Sequence, residues 1–164
     1  MTTEAPAAGR LVVIQSNQES ARTAARVNTD RNYDSKGVKK TMNLKNQVAV
    51  VTGSTKGIGL AVAEALAQQG AHVVVCSRNP DEVQACVDDL SARSKGRIVG
   101  RKCDVREVRD FESLLEFAES KLGGVDILIN NAGIGIFKPV EEMTVEEWRG
   151  VISTNLDSLF YGCR

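Results

Sequence analysis

Hydrophobic residues follow two alternating rhythms along residues 47–164. Short runs rich in β-branched residues, VAVVT (48–52), HVVVC (72–76) and VDILIN (125–130), carry apolar side chains on both faces, the signature of strands covered on either side. RIVGRKCDV (97–105) is a weaker signal of the same kind. Between these runs the apolar period lengthens to that of a helix. Ile58, Val62, Ala65 and Leu66 predict one buried stripe, closed by Gly70. Val83, Cys86, Val87 and Leu90 predict a second, opened by Asn79 as N-cap with Pro80 at the first helical position and Asp81 and Glu82 complementing the dipole. Phe111, Leu114, Leu115, Ala118 and Leu122 predict a third, ended by Gly123-Gly124. Thr144-x-x-Glu147 reads as a capping box, with Met143 and Trp148 placed to staple it.

Four strands separated by single helices imply an α/β fold, a doubly wound parallel sheet in an αβα layer with right-handed crossovers. The pattern stops inside the helix after the fourth strand, where Leu159 and Phe160 still need something to pack on. A doubly wound sheet places a fifth strand beside the fourth, so VDILIN is expected to be a bare edge, open to association. The stripe Trp148, Ile152, Asn155, Leu159 predicts that Asn155 faces inward among apolar side chains.

Residues 1–44 lack this rhythm. Apart from LVVI (11–14) they are polar, and residues 1–45 carry eight Lys/Arg against four Asp/Glu, whereas the remainder carries thirteen against seventeen. They read as a disordered N-terminal extension to a domain spanning 45–164. The acids within them spoil the pattern of a transit peptide. Lys+Arg and Asp+Glu both total 21, so no overall field draws the chain to nucleic acid or an anionic membrane. LVVI is far short of the roughly 20 residues that a membrane span needs. Cys76, Cys86, Cys103 and Cys163 show no metal-ligand spacing and read as apolar core residues in a reducing, cytoplasmic setting. His72, the sole histidine, has no evident partner for proton transfer.

The first strand-to-helix turn reads TGSTKGIG (52–59). Gly53 suits a tight turn, Gly57 a close backbone approach to pyrophosphate, and Gly59 close packing of helix on sheet. The loop residues Ser54, Thr55, Lys56 and Ile58 complete a candidate phosphate cradle at the helix N-terminus. No G-K-[ST] follows, which excludes a Walker loop. An NAD site needs an acid at the end of the second strand, but Cys76-Ser77-Arg78 stands there. Arg78, with Lys56 in support, suits a 2′-phosphate instead and points to NADP(H).

TGSTKGIG, CDV (103–105), NNAG (130–133) and Asn155, in that order, resemble the N-terminal half of the short-chain dehydrogenase/reductase family over residues 44–164. The resemblance implies a Rossmann-like domain in which Asp104 and Val105 contact adenine while Asn131, Ala132 and Gly133 border the adenosine ribose. It implies that Asn155 is the active-site asparagine, whose backbone holds a water in a proton relay. It also implies carbonyl reduction or alcohol oxidation by a serine and a Tyr-x-x-x-Lys pair. Neither Tyr33 nor Tyr161 has a lysine four residues on, so the chain is expected to be a cofactor-binding half, inactive alone. Any carbonyl or alcohol substrate would require the missing half. Ile134, Gly135, Ile136 and Phe137 could line one wall of its pocket. The other reading is a non-catalytic dinucleotide-binding or interaction module that associates through its last helix or exposed strand edge.

Overall fold

The computed structural model describes residues 44–164 and, as backbone, one short strand nearer the N-terminus. Five parallel strands form one sheet: β1 (Val12–Gln15), β2 (Val48–Thr52), β3 (His72–Ser77), β4 (Ile98–Lys102) and β5 (Ile127–Asn130), in the order β1-β5-β2-β3-β4. The register sets Val48 beside His72, Ala49 beside Ile127 and Val73 beside Ile98.

Alternation along the central strands divides the core in two. Ala49, Val51, Val73 and Val75 face one side, where helices α1 (Gly57–Gln68) and α2 (Pro80–Arg93) cover them. Val50, Val74, Cys76 and Leu128 face the other, against Phe111, Leu114 and Ala118 of α3 (Val108–Leu122). The central strands β2 and β3 are buried on both faces, which is why Val48–Val51 and Val73–Cys76 are apolar without a break. Asn79 caps α2 by accepting from Asp81 N–H at 2.9 Å, and Gly123 ends α3 at φ +95°.

Several expectations change. The buried face of α1 is Gly59, Ala63 and Ala67, with Leu60, Val62 and Leu66 half-buried; Ile58 and Ala65 are exposed. The helix lies so close to the sheet that only small side chains fit along the contact line. β5 is not an edge, because β1 pairs with it from Val12 opposite Ile127 to Gln15 opposite Asn130. The β-branched LVVI run, assigned from sequence to a polar extension, thus supplies partners for β5's outward backbone groups. The rest of that extension lies outside the described residues. Removal of residues 1–43 should speed hydrogen exchange at the outward amides of Ile127–Asn130 by at least about tenfold. Unchanged protection in exchange mass spectrometry would show that β1 does not hold that edge.

After β5, a 3-10 turn (Val140–Glu142) leads to α4 (Val145–Ile152). Its capping box forms as expected, Thr144 Oγ1 accepting from Glu147 N–H at 3.1 Å and Glu147 accepting from Thr144 N–H at 2.8 Å. The helix then widens into a π turn (Ser153–Asp157) before α5 (Ser158–Cys163). The predicted stripe does not face inward, since Trp148 and Asn155 are exposed, while Thr154 and Ser158 are buried. Their hydroxyls donate back to Gly150 C=O at 2.8 Å and Thr154 C=O at 2.6 Å, which makes polar burial tolerable. Cys76, Cys86 and Cys103 are buried as expected, but Cys163 is exposed. Among the described residues no helix is long and apolar enough to cross a membrane.

Candidate cofactor site

A cleft of about 750 Å³ opens across the C-terminal ends of the strands and takes in Gly53, Ser77, Cys103 and Asn130, each at or just beyond a strand end. It sits where the sheet order reverses, with β3 on one side of β2 and β5 on the other. Successive crossovers leave in opposite directions there and open a crevice.

The glycine loop forms the floor of the cleft. Gly53 and Gly57 adopt φ of +63° and +60°, a region that favours glycine. Lys56, the N-cap of α1, is extended and contributes no side-chain cap, and the first turn of that helix holds no acid. The leading N–H groups of a twelve-residue helix thus lack a side-chain acceptor and suit an anion. Ser54 does not face the cleft. It is fully buried, its Oγ donating to Val51 C=O at 2.6 Å and accepting from Cys76 N–H at 3.0 Å. Its task is to staple the loop to β3. Gly57 does not line the cleft either; its contribution is backbone shape.

The NNAG turn is fastened to that loop from the opposite side. Thr52 Oγ1 accepts from the N–H groups of Asn131 and Ala132, both at 3.0 Å. Asn131 Nδ2 donates to Thr52 C=O at 2.8 Å and Gly53 C=O at 3.1 Å. A Cβ on Gly59 would stand 2.4 Å from both Asn131 Nδ2 and Gly53 O, so the close approach requires glycine. Asn131, Ala132 and Gly133 line the cleft. Asn130 is 5% exposed, and its Oδ1 accepts no hydrogen bond among the described residues. That oxygen lies beside Gly162 of α5, where a Cβ would stand 3.1 Å from it.

At the far end lie Ser77, Arg78, Asp104 and Val105, together with Arg106. Ser77 Oγ is engaged locally, donating to Asn79 C=O at 3.1 Å and accepting from Asn79 N–H at 3.2 Å. Arg106 donates to both Asp104 oxygens, with its Nη2 2.6 Å from Oδ2. That guanidinium holds the Asp104 carboxyl below its ordinary range, and Arg78 adds a smaller pull. Asp104 is therefore an anion at neutral pH, suited to accept from a base N–H. Arg78 makes no hydrogen bond or ion pair among the described residues. Lys56 is near Glu82, which also lines the cleft. A hydrogen bond with Cys76, and burial, push the Cys103 thiol up, so this thiol is no nucleophile.

Asn155 and Ile134 close the remaining side. Asn155 Oδ1 accepts from Ile134 N–H at 2.9 Å and its Nδ2 donates to Ile134 C=O at 2.8 Å. The side chain thus fixes the loop after NNAG. Ile134 and Gly135 reach the cleft; Ile136 and Phe137 do not, and Phe137 is 92% exposed. No metal-ligand cluster occurs among the described residues. Sequence reading missed Thr52, Glu82 and Arg106. The D-x-R spacing of Asp104 and Arg106 was a local clue to the last of these, whereas the other two contacts join distant parts of the chain.

A parallel αβα sheet with a glycine loop at its switch point and a cleft across its strand ends defines a Rossmann-like fold. Comparison with known proteins makes this specific: the short chain dehydrogenase family model matches residues 47–164. The chain belongs to that family. It is 39% identical over 124 residues to the NADP-dependent (R)-specific alcohol dehydrogenase of Lentilactobacillus kefiri, covering 76% of this chain and 48% of that protein. It is 36% identical over 119 residues to the D-beta-hydroxybutyrate dehydrogenase of Rhizobium meliloti, covering 72% and 46%. Among solved structures, L-sorbose reductase from Gluconobacter frateurii, complexed with NADPH and L-sorbose, superposes with a TM-score of 0.72 at 33% identity, covering 76% of this chain and 47% of that one. The chain spans about half the length of the curated relatives it matches.

Proposed function

We propose that the chain is the cofactor-binding portion of an NADP(H)-dependent oxidoreductase that interconverts a carbonyl and an alcohol. The observation that carries the choice of cofactor is the end of β3. Arg78 stands there, unpaired among the described residues, with Lys56 of the glycine loop nearby and no acid on the strand. A nicotinamide ring, when bound, supplies the hydride acceptor or donor. The chain's own residues bind and orient: the loop and the α1 N-terminus hold pyrophosphate, Asp104 and Val105 flank the base, and Asn131 to Gly133 border the ribose. Asn155 fixes the loop beside the nicotinamide end, where by family resemblance its backbone would hold a relay water.

Proton transfer has no candidate within the 164 residues, because neither tyrosine begins a Tyr-x-x-x-Lys. A second reading, a non-catalytic module that associates with a second copy or a longer relative, draws support from the exposed Trp148, Leu156 and Phe160 along the last helices. Calorimetric titration of the purified chain should show NADP+ bound at least about tenfold more tightly than NAD+. NADPH should not be consumed with a panel of ketones. Equal affinities would remove the assignment of NADP(H), and turnover by the 164 residues alone would show that proton transfer lies within them.

A further inference from the structure

The sequence places no acid at the end of β3, yet an acid reaches the same corner of the cleft from the neighbouring helix. Pairing of Thr52 with Cys76 brings the ends of β2 and β3 side by side. The glycine loop and the first turn of α2 therefore meet. Glu82, in that turn, accepts from Thr55 Oγ1 at 3.2 Å through Oε2, and its Oε1 lies 3.9 Å from Lys56 Nζ. Thr55, Lys56, Arg78 and Glu82 all line the cleft. The carboxylate thus sits on Lys56, one of the two cations that the NADP(H) reading assigns to a 2′-phosphate, and on the neighbouring loop hydroxyl of Thr55. The contact is open to solvent, the side chains of Lys56 and Glu82 being 83% and 43% exposed, so it holds weakly and a better anion can displace it.

We propose that Glu82 is a specificity-determining residue, an internal anion that occupies the loop's cationic corner and moderates the preference for 2′-phosphorylated nucleotides. This rests on the reading of the corner as a 2′-phosphate site. With a 2′-hydroxyl nucleotide bound, Glu82 keeps its place on Thr55 and Lys56. With a 2′-phosphate bound, two anions compete for Lys56 and repel each other across a screened but short distance. Arg78, free of that competition, carries the larger share of recognition.

The test compares wild type with Glu82→Gln, which keeps side-chain size and a contact for Thr55 while removing charge. Affinities are measured for NADP+, NAD+ and the fragment 2′,5′-ADP at low and high salt. Glu82→Gln should tighten NADP+ and 2′,5′-ADP by about fivefold and leave NAD+ within about twofold, with the gain shrinking at high salt. In a Lys56→Met background the gain should fall, because the contested cation has gone. Unchanged NADP+ affinity in Glu82→Gln, with the wild-type preference for NADP+ intact, would overturn the role of Glu82 and leave the cofactor reading standing. Selective weakening of NAD+ would overturn it differently, by making Glu82 the acceptor for a ribose hydroxyl. A wild-type preference for NAD+ would instead remove the underlying reading, whatever Glu82→Gln does to 2′,5′-ADP.

Discussion

Gly59→Ala should lower the stability of the chain by about 2–4 kcal/mol and abolish tight nucleotide binding. The new methyl would stand 2.4 Å from Gly53 O and from Asn131 Nδ2, and 3.0 Å from Gly53 C. Gly53 is backbone in a tight turn, and Asn131 Nδ2 is held by its bonds to Thr52 C=O and Gly53 C=O. Neither can retreat without parting the glycine loop from the NNAG turn. Gly57→Ala is the internal comparison. Its Cβ meets nothing within 4 Å, so only the φ of +60° is penalised, at about 1–2 kcal/mol. Urea denaturation of both variants, with slopes checked for constancy, orders the two effects. A smaller loss at Gly59 than at Gly57 would mean that the loop and NNAG turn are not packed as described.

Arg78→Asp should reduce NADP+ affinity by about hundredfold while leaving NAD+ within about threefold. The expected loss combines a missing charge-assisted hydrogen bond with a new like charge facing the phosphate. Arg78 contributes no ion pair or hydrogen bond among the described residues, so folding should barely change, and a melting curve close to wild type is part of the expectation. Arg78 does help to hold the Asp104 carboxyl down, behind Arg106. Arg78→Gln separates the two effects: it removes the positive charge without adding a repulsive one, and its loss of NADP+ affinity should be intermediate. Parallel losses for NADP+ and NAD+ would instead make Arg78 a general binding or folding residue.

How much of this could be read before folding depended on the range of each interaction. Asn79, Thr144 and Gly123 act within one helical turn, and their caps were legible from neighbours in sequence. The strand at 98 gave a weaker signal because Arg101 and Lys102 are exposed, whereas the strands at 48, 72 and 127 were legible because burial on both faces leaves an almost unbroken apolar run. The face of α1 was not, since hydrophobicity favours Ile58 and Val62 while close packing against the sheet selects Gly59, Ala63 and Ala67. The stripe through Asn155 failed for a related reason: burial falls on the small Thr154 and Ser158, while Trp148 and Leu156 stay exposed.

The sequence by itself determined the alternation of strands and helices, the positions of their caps, the glycine loop and the motifs that border the cleft. All of these depend on residues within a few positions of one another. Only the tertiary structure decided that β1 pairs with β5, that Thr52 fastens the NNAG turn almost eighty residues away, that Asn155 grips the Ile134 backbone, and that Glu82 reaches the corner assigned to Lys56 and Arg78. Those contacts join segments whose proximity follows from sheet order and register. They arise once hydrophobic burial has brought the strands together, and no local pattern encodes them.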